Sequence, residues 1–480
     1  MRKSPAGPVP RDRVLAGLPA DEPDAGTRDT VAEGNRGRYT WLLVLDDDPT
    51  GTQCVAEVNV LLDPRDTTAV RAAAATDAMT VVLTNTRARP AGDVTPLLNH
   101  LVRTAADAAR SHGRDLRVLL RGDSTLRGHY RLETETVRAA LAAAGTAVHG
   151  VVLVPAFPQA GRLTRGDVHW VCGADMCVPV AETEFAADAT FGFAESDLRA
   201  WVAARGDATG PIESVDVELI RTRPATVVSR LSHARPGTTF VVNAVSDGDL
   251  DRFAAALQRA ELDGRTYIVR CGPSFVRARA GRHEPRPETT RVGLLAMRPD
   301  GPGLVVVGSH SALTRRQVEV AAARHGLRTV EADIDDLLEG SSGGSAERAA
   351  DHLAAGRTVL LQTTRARRTA ATADASLALA TRVSAGLCAI VESACRHATP
   401  GWVVAKGGIT SADVATRALR ATSARNVGPL TRHGVSVWQL DPASLLPYRP
   451  YVVFPGNVGD ADALSHVLDL TNPLIERPPA

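Results

Sequence analysis

From Trp41 onward one pattern recurs along the chain: a short, unbroken apolar run closes on a cluster of Gly, Asp, Ser, Thr or Arg, and an alanine-rich stretch with helical spacing often follows. The runs are Trp41–Leu45, Thr80–Leu83, Val118–Leu120, Val151–Val154 and Phe240–Val242 in the first part of the chain. Tyr267–Val269, Leu304–Val307, Thr358–Leu361, Trp402–Val404 and Tyr451–Phe454 continue the series. Runs of this kind separated by helices predict an α/β protein built on parallel sheets. In open parallel sheets ligands collect at the carboxyl ends of the strands, where the polar clusters fall.

The pattern breaks once, between Arg277 and Gly303, where Gly281, Pro285, Pro287 and Pro302 interrupt any apolar period. We therefore expect a linker over 281–302, an N-terminal domain over 39–280 and a C-terminal domain over 303–480. Each is expected to carry a largely parallel sheet flanked by helices, with the active site in the cleft between them. Residues 1–38 mix Pro, Gly, Arg and Asp without periodicity and read as a disordered tail. The Gly340–Gly344 stretch is shorter and reads as a loop.

Composition narrows the partners. Lys plus Arg number 55 against 54 Asp plus Glu, so no global field favours nucleic acid or an anionic membrane over a small molecule. No run approaches the ~18 to 20 apolar residues of a membrane span, and the N-terminus lacks the apolar core of a secretory signal, so a cytoplasmic location is expected. The six cysteines are sparse and irregularly spaced. This argues against a disulfide framework or a structural zinc site, and Cys172 and Cys177 have no matching second pair. Incidental or buried thiols are the expectation.

Six polar clusters carry candidate chemistry. Asp46, Asp47 and Asp48 close the first run and lead into Pro49, Thr50, Gly51, Thr52 and Gln53. Carboxylates so crowded need a compensating cation or polar ligand. One of them can accept a proton from a substrate hydroxyl while Thr50 and Gly51 shape the loop around a polyol; an exposed acidic turn with one aspartate capping the next helix is the alternative. Arg121, Asp123, Ser124, Thr125, Arg127 and His129 follow another run. Two guanidinium groups among hydroxyls and glycines suit a carboxylate with adjacent hydroxyls, as in a sugar acid, unless the arginines serve the acidic cluster structurally. The proline-braced loop from Pro155 through Phe157 to Gly161, Arg162, Thr164 and His169 can complete an anion pocket, with His169 its weakest member.

In the C-terminal half, Gly308, Ser309, His310, Ser311 and Thr314 lie between a strand and a helix containing Gln317. Lys406, Gly407, Gly408, Ile409, Thr410, Ser411 and Asp413 follow another strand, with Thr410 and Asp413 at capping-box spacing. Phe454, Pro455, Gly456, Asn457, Val458 and Gly459 repeat the design. Glycine turns that open helices present free amides to phosphate, so three such loops favour a nucleotide site, although each alone is common as an ordinary cap. The chain has no Gly-x-x-x-x-Gly-Lys-Ser/Thr, Gly-x-Gly-x-x-Gly, His-Glu-x-x-His or Gly-x-Ser-x-Gly pattern at these places.

Taken in this order, the segments resemble the four-carbon acid sugar kinase family, whose members phosphorylate threonate, erythronate or 3-oxo-tetronate acids, over nearly the whole chain from about residue 40. The family's paired aspartates with Thr-Gly look like Asp47, Asp48, Thr50 and Gly51. Its Asp-Ser-Thr-Leu-Arg-Gly block is matched by Asp123 to Gly128, and its Pro-Ala-Phe-Pro and Gly-Arg-x-Thr loop by Pro155 to Thr164. Arg121 stands where relatives commonly carry lysine, His129 where asparagine is common, and Phe454-Pro455-Gly456 where Lys-Ser-Gly or Lys-Pro-Gly is common. The resemblance implies nucleotide contacts on Ser309, on Gly407, Gly408, Ile409 and Thr410 and on Gly456; from the loops themselves we add Ser311, Asn457 and Lys406, which can compensate for the lysine missing from the last loop, and expect ATP with Mg2+ as the cofactor. We expect the acid on Thr50, Gly51, Arg121, Asp123, Ser124, Thr125, Arg127 and Arg162, with Asp48 or Asp47 acting on the acceptor's terminal hydroxyl. Metal ligands and the oligomeric state, including a homo-oligomer, stay open at this point. So do two other readings, a non-catalytic sugar-acid sensor and a nicotinamide-dependent dehydrogenase of the same acids.

Overall fold

The computed structural model describes residues 7–22, 25–206, 210–308, 311–364, 373–431, 434–456 and 458–471. The chain divides into two compact units, one of residues 1–47 with 64–284 and the other of 48–63 with 285–480. The second unit therefore includes a short stretch from the N-terminal part of the chain, where sequence reading expected a single boundary.

The first unit holds a parallel sheet in the order Ile212–Val215, Thr238–Val242, Gly150–Val154, Tyr267–Cys271, Asp115–Arg121, Thr40–Asp46, Met79–Leu83. Every residue of Thr40–Asp46 and of Gly150–Val154 is buried, as strands covered on both faces require. Register matters for the site. Asp46 lies level with Leu83 on one side and Arg121 on the other, Arg121 with Cys271, and Cys271 with Val154, so these strands end in one row. A smaller antiparallel sheet joins Val9–Pro10, Met176–Pro179, Val168–Cys172 and Arg162–Arg165.

In the second unit the order is Val58–Leu61, Ser423–Pro429, Ser436–Leu440, Pro450–Phe454, Trp402–Lys406, Gly303–Val307, Val359–Thr363, Arg328–Ala332. The first three pairings are antiparallel and the rest parallel. Phe454, Lys406 and Val307 end level with one another. Val305, Val307, Val404, Val452 and Phe454 pack with Val318, Leu464, Val467 and Leu468 from the covering helices. Burial of this kind contributes about 25 cal/mol per Å² of apolar surface.

Each of the ten apolar runs lies in or overlaps a strand of these sheets. Some strands without such a run have a wet face. Arg328–Ala332 alternates, with Val330 and Ala332 buried and its other residues exposed, and no continuous run survives that arrangement.

Three expectations are corrected. Residues 1–38 include a strand at Val9–Pro10 and a helix at Ala25–Gly37, because their polar groups find partners on the body of the unit. Arg28 Nε pairs with Asp251 Oδ2 at 2.6 Å, Arg221 Nη1 donates to the Pro19 carbonyl at 2.6 Å, and Arg252 Nη1 meets Asp21 Oδ1 at 2.7 Å. The expected linker contains a helix, Pro287–Ala296, that begins on proline and buries Leu294 in the second unit's core. Finally, Cys172 and Cys177 face each other across a hairpin and form a disulfide. Irregular spacing says nothing against a bond between direct cross-strand neighbours. Cys54, Cys271, Cys388 and Cys395 are buried and take no part in a disulfide.

Ala378–His397 is long and apolar enough by composition to cross a membrane, although no unbroken apolar run marks it in the sequence. It buries Leu387, Ile390, Val391 and Ala394, while Arg382 donates to the Leu338 carbonyl.

The docking of the N-terminal helix is testable at Asn35, which donates to the Arg279 carbonyl at 3.0 Å and accepts from Arg279 Nη1 at 2.6 Å and Gln258 Nε2 at 2.9 Å. Replacing it by Ala strands buried partners, and urea denaturation should read a loss of about 1–3 kcal/mol. A change below about 0.3 kcal/mol, within the scatter of a surface substitution, would mean that the segment is not docked.

Candidate functional site

At the row of strand ends in the first unit, acids and arginines are interleaved. Arg121 Nη1 lies 2.8 Å from Asp46 Oδ1 and 3.2 Å from Asp47 Oδ1. Arg87 holds Asp47 with both Nη2, at 2.5 Å from Oδ1, and Nε, at 3.3 Å from Oδ2. Arg270 Nη2 stands 3.6 Å from Asp47 Oδ2, and its Nη1 pairs with Glu133, which also accepts from the Thr86 hydroxyl. Burial pushes Glu133 up against the pull of Arg270, and the nearby Asp47 adds to the rise. Gly128, at φ +116°, completes the packing: a Cβ there would lie 3.0 Å from Arg270 Nη2 and 3.1 Å from Asp47 Oδ2. Both the backbone angle and the space require glycine.

Arg121 Nη1 thus pairs with the acidic cluster, the contact that the structural alternative for it named. Arg87, Arg270 and Glu133 were not singled out from sequence. Arg87 and Arg270 both sit at or just past strand ends, the position that marked the other clusters, so a signal was present; Glu133 lies within the helix Tyr130–Ala143, where nothing in the pattern marks it.

A second cluster gathers on the loop after Arg121. Arg127 Nε donates to Asp123 Oδ2 at 2.6 Å, as does the Thr125 hydroxyl at 2.5 Å. Burial would raise Asp123, yet Arg87 and Arg127, with the hydrogen bonds from Arg127 and Thr125, hold it well below the usual carboxylate range. Arg127 also lies 3.8 Å from Asp188 and stacks over Phe185 at 5.2 Å, two residues that carried no sequence signal. Arg162 senses both Asp123 and Arg127; burial draws it below the usual guanidinium range. Its Nη1 donates to the Ala160 carbonyl, and its Nε is buried without a partner among the described residues. That orphan donor is what an anion would satisfy.

His169 is fully buried beneath this loop. Its Nε2 lies 2.7 Å from the Ser124 carbonyl, which can only accept, so Nε2 carries the proton and Nδ1 accepts from the Thr164 hydroxyl at 2.9 Å. Burial brings its pKa down to about 4, against the opposing hydrogen bond to Ser124. A neutral, doubly bonded ring is a brace for the Ser124 backbone.

The carboxylates part company after Asp47: Asp48, Thr50 and Gly51 belong to the second unit. Asp48 Oδ1 accepts from Thr50 N at 2.8 Å and caps the short helix Pro49–Cys54. That helix is tied down by Trp438 Nε1, which donates to the Thr52 hydroxyl at 3.1 Å, and by Asn426 Nδ2, which donates to the Thr52 carbonyl at 3.2 Å. Asp48 also faces Gly408: a Cβ on that glycine would lie 3.0 Å from Asp48 Cγ and closer still to Oδ2. Only glycine admits the carboxylate there.

Gly407 turns at φ +116° and the helix Gly408–Asp413 begins directly, running into a π-turn over Val414–Ala418. The expected capping box is absent, because the helix starts ahead of Thr410, and Asp413 instead accepts from the Ser384 hydroxyl at 2.5 Å. Thr410 packs against Gly308, bringing two of the strand-end loops together. Ile409 is 47% exposed. Ser311 caps the helix Ala312–His325 by accepting from Thr314 N at 3.1 Å, and Thr314 donates to the Gly456 carbonyl at 3.2 Å. Ser309 and Asn457 lie outside the described residues.

Lys406 is fully buried, with Nζ 3.2 Å from the Pro455 carbonyl and 3.8 Å above the Phe454 ring. Burial draws its pKa down to about 7. Its ammonium joins two glycine loops from beneath. Among the described residues, no group of three or more His, Cys, Asp or Glu side chains is placed to hold a metal ion.

Residues 42–279 match a family model described as a sugar-binding N-terminal domain, and 304–464 one described as a nucleotide-binding C-terminal domain. A D-threonate kinase of Cupriavidus necator is 32% identical over 245 residues, covering 48% of this chain and 52% of the relative. A D-threonate kinase of Salmonella typhimurium is 30% identical over 248 residues, covering 51% and 53%. The chain spans about half the length of the curated relatives it matches. A solved structure from Salmonella typhimurium LT2 shares the fold with TM-score 0.63 at 17% identity, covering 89% of this chain and 98% of that one. The Haemophilus influenzae protein HI1011, of family DUF1537, does so with TM-score 0.58 at 16% identity, covering 90% and 100%.

The His169 brace predicts a pH dependence. Its folded pKa lies below the ordinary 6.5, so the unfolded chain binds more protons between pH 6.5 and about 4. Stability is fully present above pH 6.5 and falls by roughly 3 kcal/mol as pH drops through that window. Denaturation curves at pH 7.5, 6 and 5 should show this loss in the parent and a smaller loss in His169→Gln, whose amide still reaches the Ser124 carbonyl. Parallel curves for the two proteins would rule the brace out.

Proposed function

The chain belongs to the four-carbon acid sugar kinase family, and we propose that it transfers the γ-phosphoryl group of ATP to the terminal hydroxyl of a tetronate-type sugar acid. The observation that carries this reading is the division of labour between neighbouring carboxylates. Both oxygens of Asp47 are occupied by guanidinium groups, whereas Asp48 stands beside Gly408 at the opening of a glycine loop. Asp48 is the residue that orients the acceptor hydroxyl and receives its proton.

The acid's carboxylate is taken by Arg127 and Arg162, supported by the orphaned Arg162 Nε, and its inner hydroxyls by the Asp123 to Thr125 loop. The phosphates lie on the backbone amides of Gly408 and Gly456, where no Cβ blocks approach, while Gly407, whose own N–H donates to the Phe454 carbonyl at 2.9 Å, supplies the turn. Magnesium would arrive on the phosphate oxygens, which suit its demand for oxygen ligands and retained waters, and would neutralise charge as the phosphoryl group moves. Most of the rate then comes from positioning and charge neutralisation.

One observation favours a second reading, a sugar-acid sensor with no turnover: the Lys406 ammonium is buried against the Pro455 carbonyl, and the loop from Phe454 brings no lysine of its own. ATP consumption by the purified protein with magnesium distinguishes the two. It should appear with threonate, erythronate or a 3-oxo-tetronate and not with the neutral tetroses, while acid binding without turnover would identify the sensor. Asp48→Asn keeps the oxygen that caps Thr50. It should lower kcat by about 10² to 10⁴ while moving the KM for ATP less than about threefold. Equal losses in both constants would remove Asp48 from this role.

A further inference from the structure

We propose that two pieces of the N-terminal segment, residues 7–22 and 25–37, position Arg162 for the sugar acid: they grip the turn before that arginine from two sides and so set the affinity for the acid's carboxylate. This role presupposes that Arg162 takes the carboxylate, as read above. It gives the docked segment a part in binding that its sequence does not announce.

The first grip runs through the small antiparallel sheet. Val9 and Pro10 pair with Cys177 and Met176, and Arg11 N donates to the Asp175 carbonyl at 2.8 Å. Cys177 is bonded to Cys172, whose N–H donates to the Gly161 carbonyl at 2.7 Å. Gly161 turns at φ +73°, and a Cβ on it would collide with the Cys172 carbonyl, so the turn is seated directly on the hairpin backbone. Arg162 lies opposite Val171 in the same sheet. Val14 joins Leu163, Val168, Trp170 and both cysteines in one buried cluster, with Val9 and Leu15 packed against it. Leu163 directly follows Arg162, so ladder and apolar contact together fix the backbone that carries the guanidinium.

The second grip is a relay of charges. Arg28 Nε pairs with Asp251 Oδ2 at 2.6 Å, Asp251 Oδ1 lies 3.2 Å from Arg277 Nη2, and the same Nη2 is 2.9 Å from Asp247 Oδ1. The other oxygen of Asp247 accepts from Gln159 Nε2 at 2.7 Å, and Gln159 Oε1 accepts from the Ser274 hydroxyl at 2.6 Å. Both ends of the Gln159 amide are thus held. The next residue, Ala160, offers its carbonyl to Arg162 Nη1. With Nη1 fixed there, the buried Nε that has no partner among the described residues keeps its aim. Arg277 is fully buried, and a buried charge stays with its counterions. Without Arg28, Asp251 draws more fully on Arg277 at the expense of Asp247, and Gln159 loses its fixed partner. Pairing of a guanidinium with a carboxylate is directional, so a small displacement of the turn weakens it.

The test is calorimetric titration of the full chain with threonate, erythronate and a 3-oxo-tetronate, the tightest of the three being carried through the variants. Val14→Ala, which opens space beside Leu163, should weaken the acid about tenfold. Arg28→Ala should weaken it severalfold and, at a side chain 26% exposed, serves should the core change disturb folding. Arg162→Lys keeps a charge but loses the planar fork and should itself cost about tenfold or more. In that background both changes should fall within about twofold, because the arginine they position is gone. If neither variant weakens the acid in the parent, the segment does not position Arg162 and the acid reading survives. Equal losses in both backgrounds would mark a general loosening of the unit and overturn the positioning role. If Arg162→Lys binds the acid as the parent does, the arginine is not its ligand and there is nothing to position. If the parent binds none of the three, the acid reading itself fails and this role with it.

Discussion

The first unit is organised around a buried charge balance. Asp46, Asp47 and Glu133 are set against Arg87, Arg121 and Arg270, and five of the six are no more than 7% exposed in their side chains. Burying a lone charge of this kind is prohibitive, and removing one partner of a buried pair typically costs about 3–5 kcal/mol. Three strands must therefore end in one row, and Gly128 must lack a side chain, for the charges to meet. The loops that follow inherit their positions from that requirement.

Because the two signs cancel within this cluster, it has little net pull on an anion. On the neighbouring loop the Nε of Arg162 has no partner among the described residues, and Arg127 stacks over Phe185. The second unit arranges its polar groups differently. Its glycine loops offer backbone, and its buried cation, Lys406, works beneath the surface by holding the Pro455 carbonyl. A charge placed under a loop stiffens the backbone above it.

Much of this was legible in the chain. Unbroken apolar runs such as Trp41–Leu45 and Leu304–Val307 are the signature of strands covered on both faces, and the polar residues after them mark the strand ends. Strands with a wet face, such as Arg328–Ala332, lack that signature. The roles of arginines were less legible, since Arg121 and Arg127 look alike in sequence and part only when register sets Arg121 beside Asp46. Asp47 and Asp48 likewise differ by one position in the chain and fall in different units. The N-terminal segment misled because its polar residues pair with side chains more than 200 positions away, as Arg28 does with Asp251, and composition cannot see a distant partner.

The strand Val58–Leu61 belongs to the second unit and pairs with Ser423–Pro429. On a ribosome, residues 48–63 emerge early and must wait for partners made long afterwards; Asn426, which binds the Val55 carbonyl, follows it by 371 positions. Contacts so distant in sequence are slow to close. The pairing therefore joins a stretch made early to one made late, and until it closes, that side of the early strand is an open edge that a wrong partner can take.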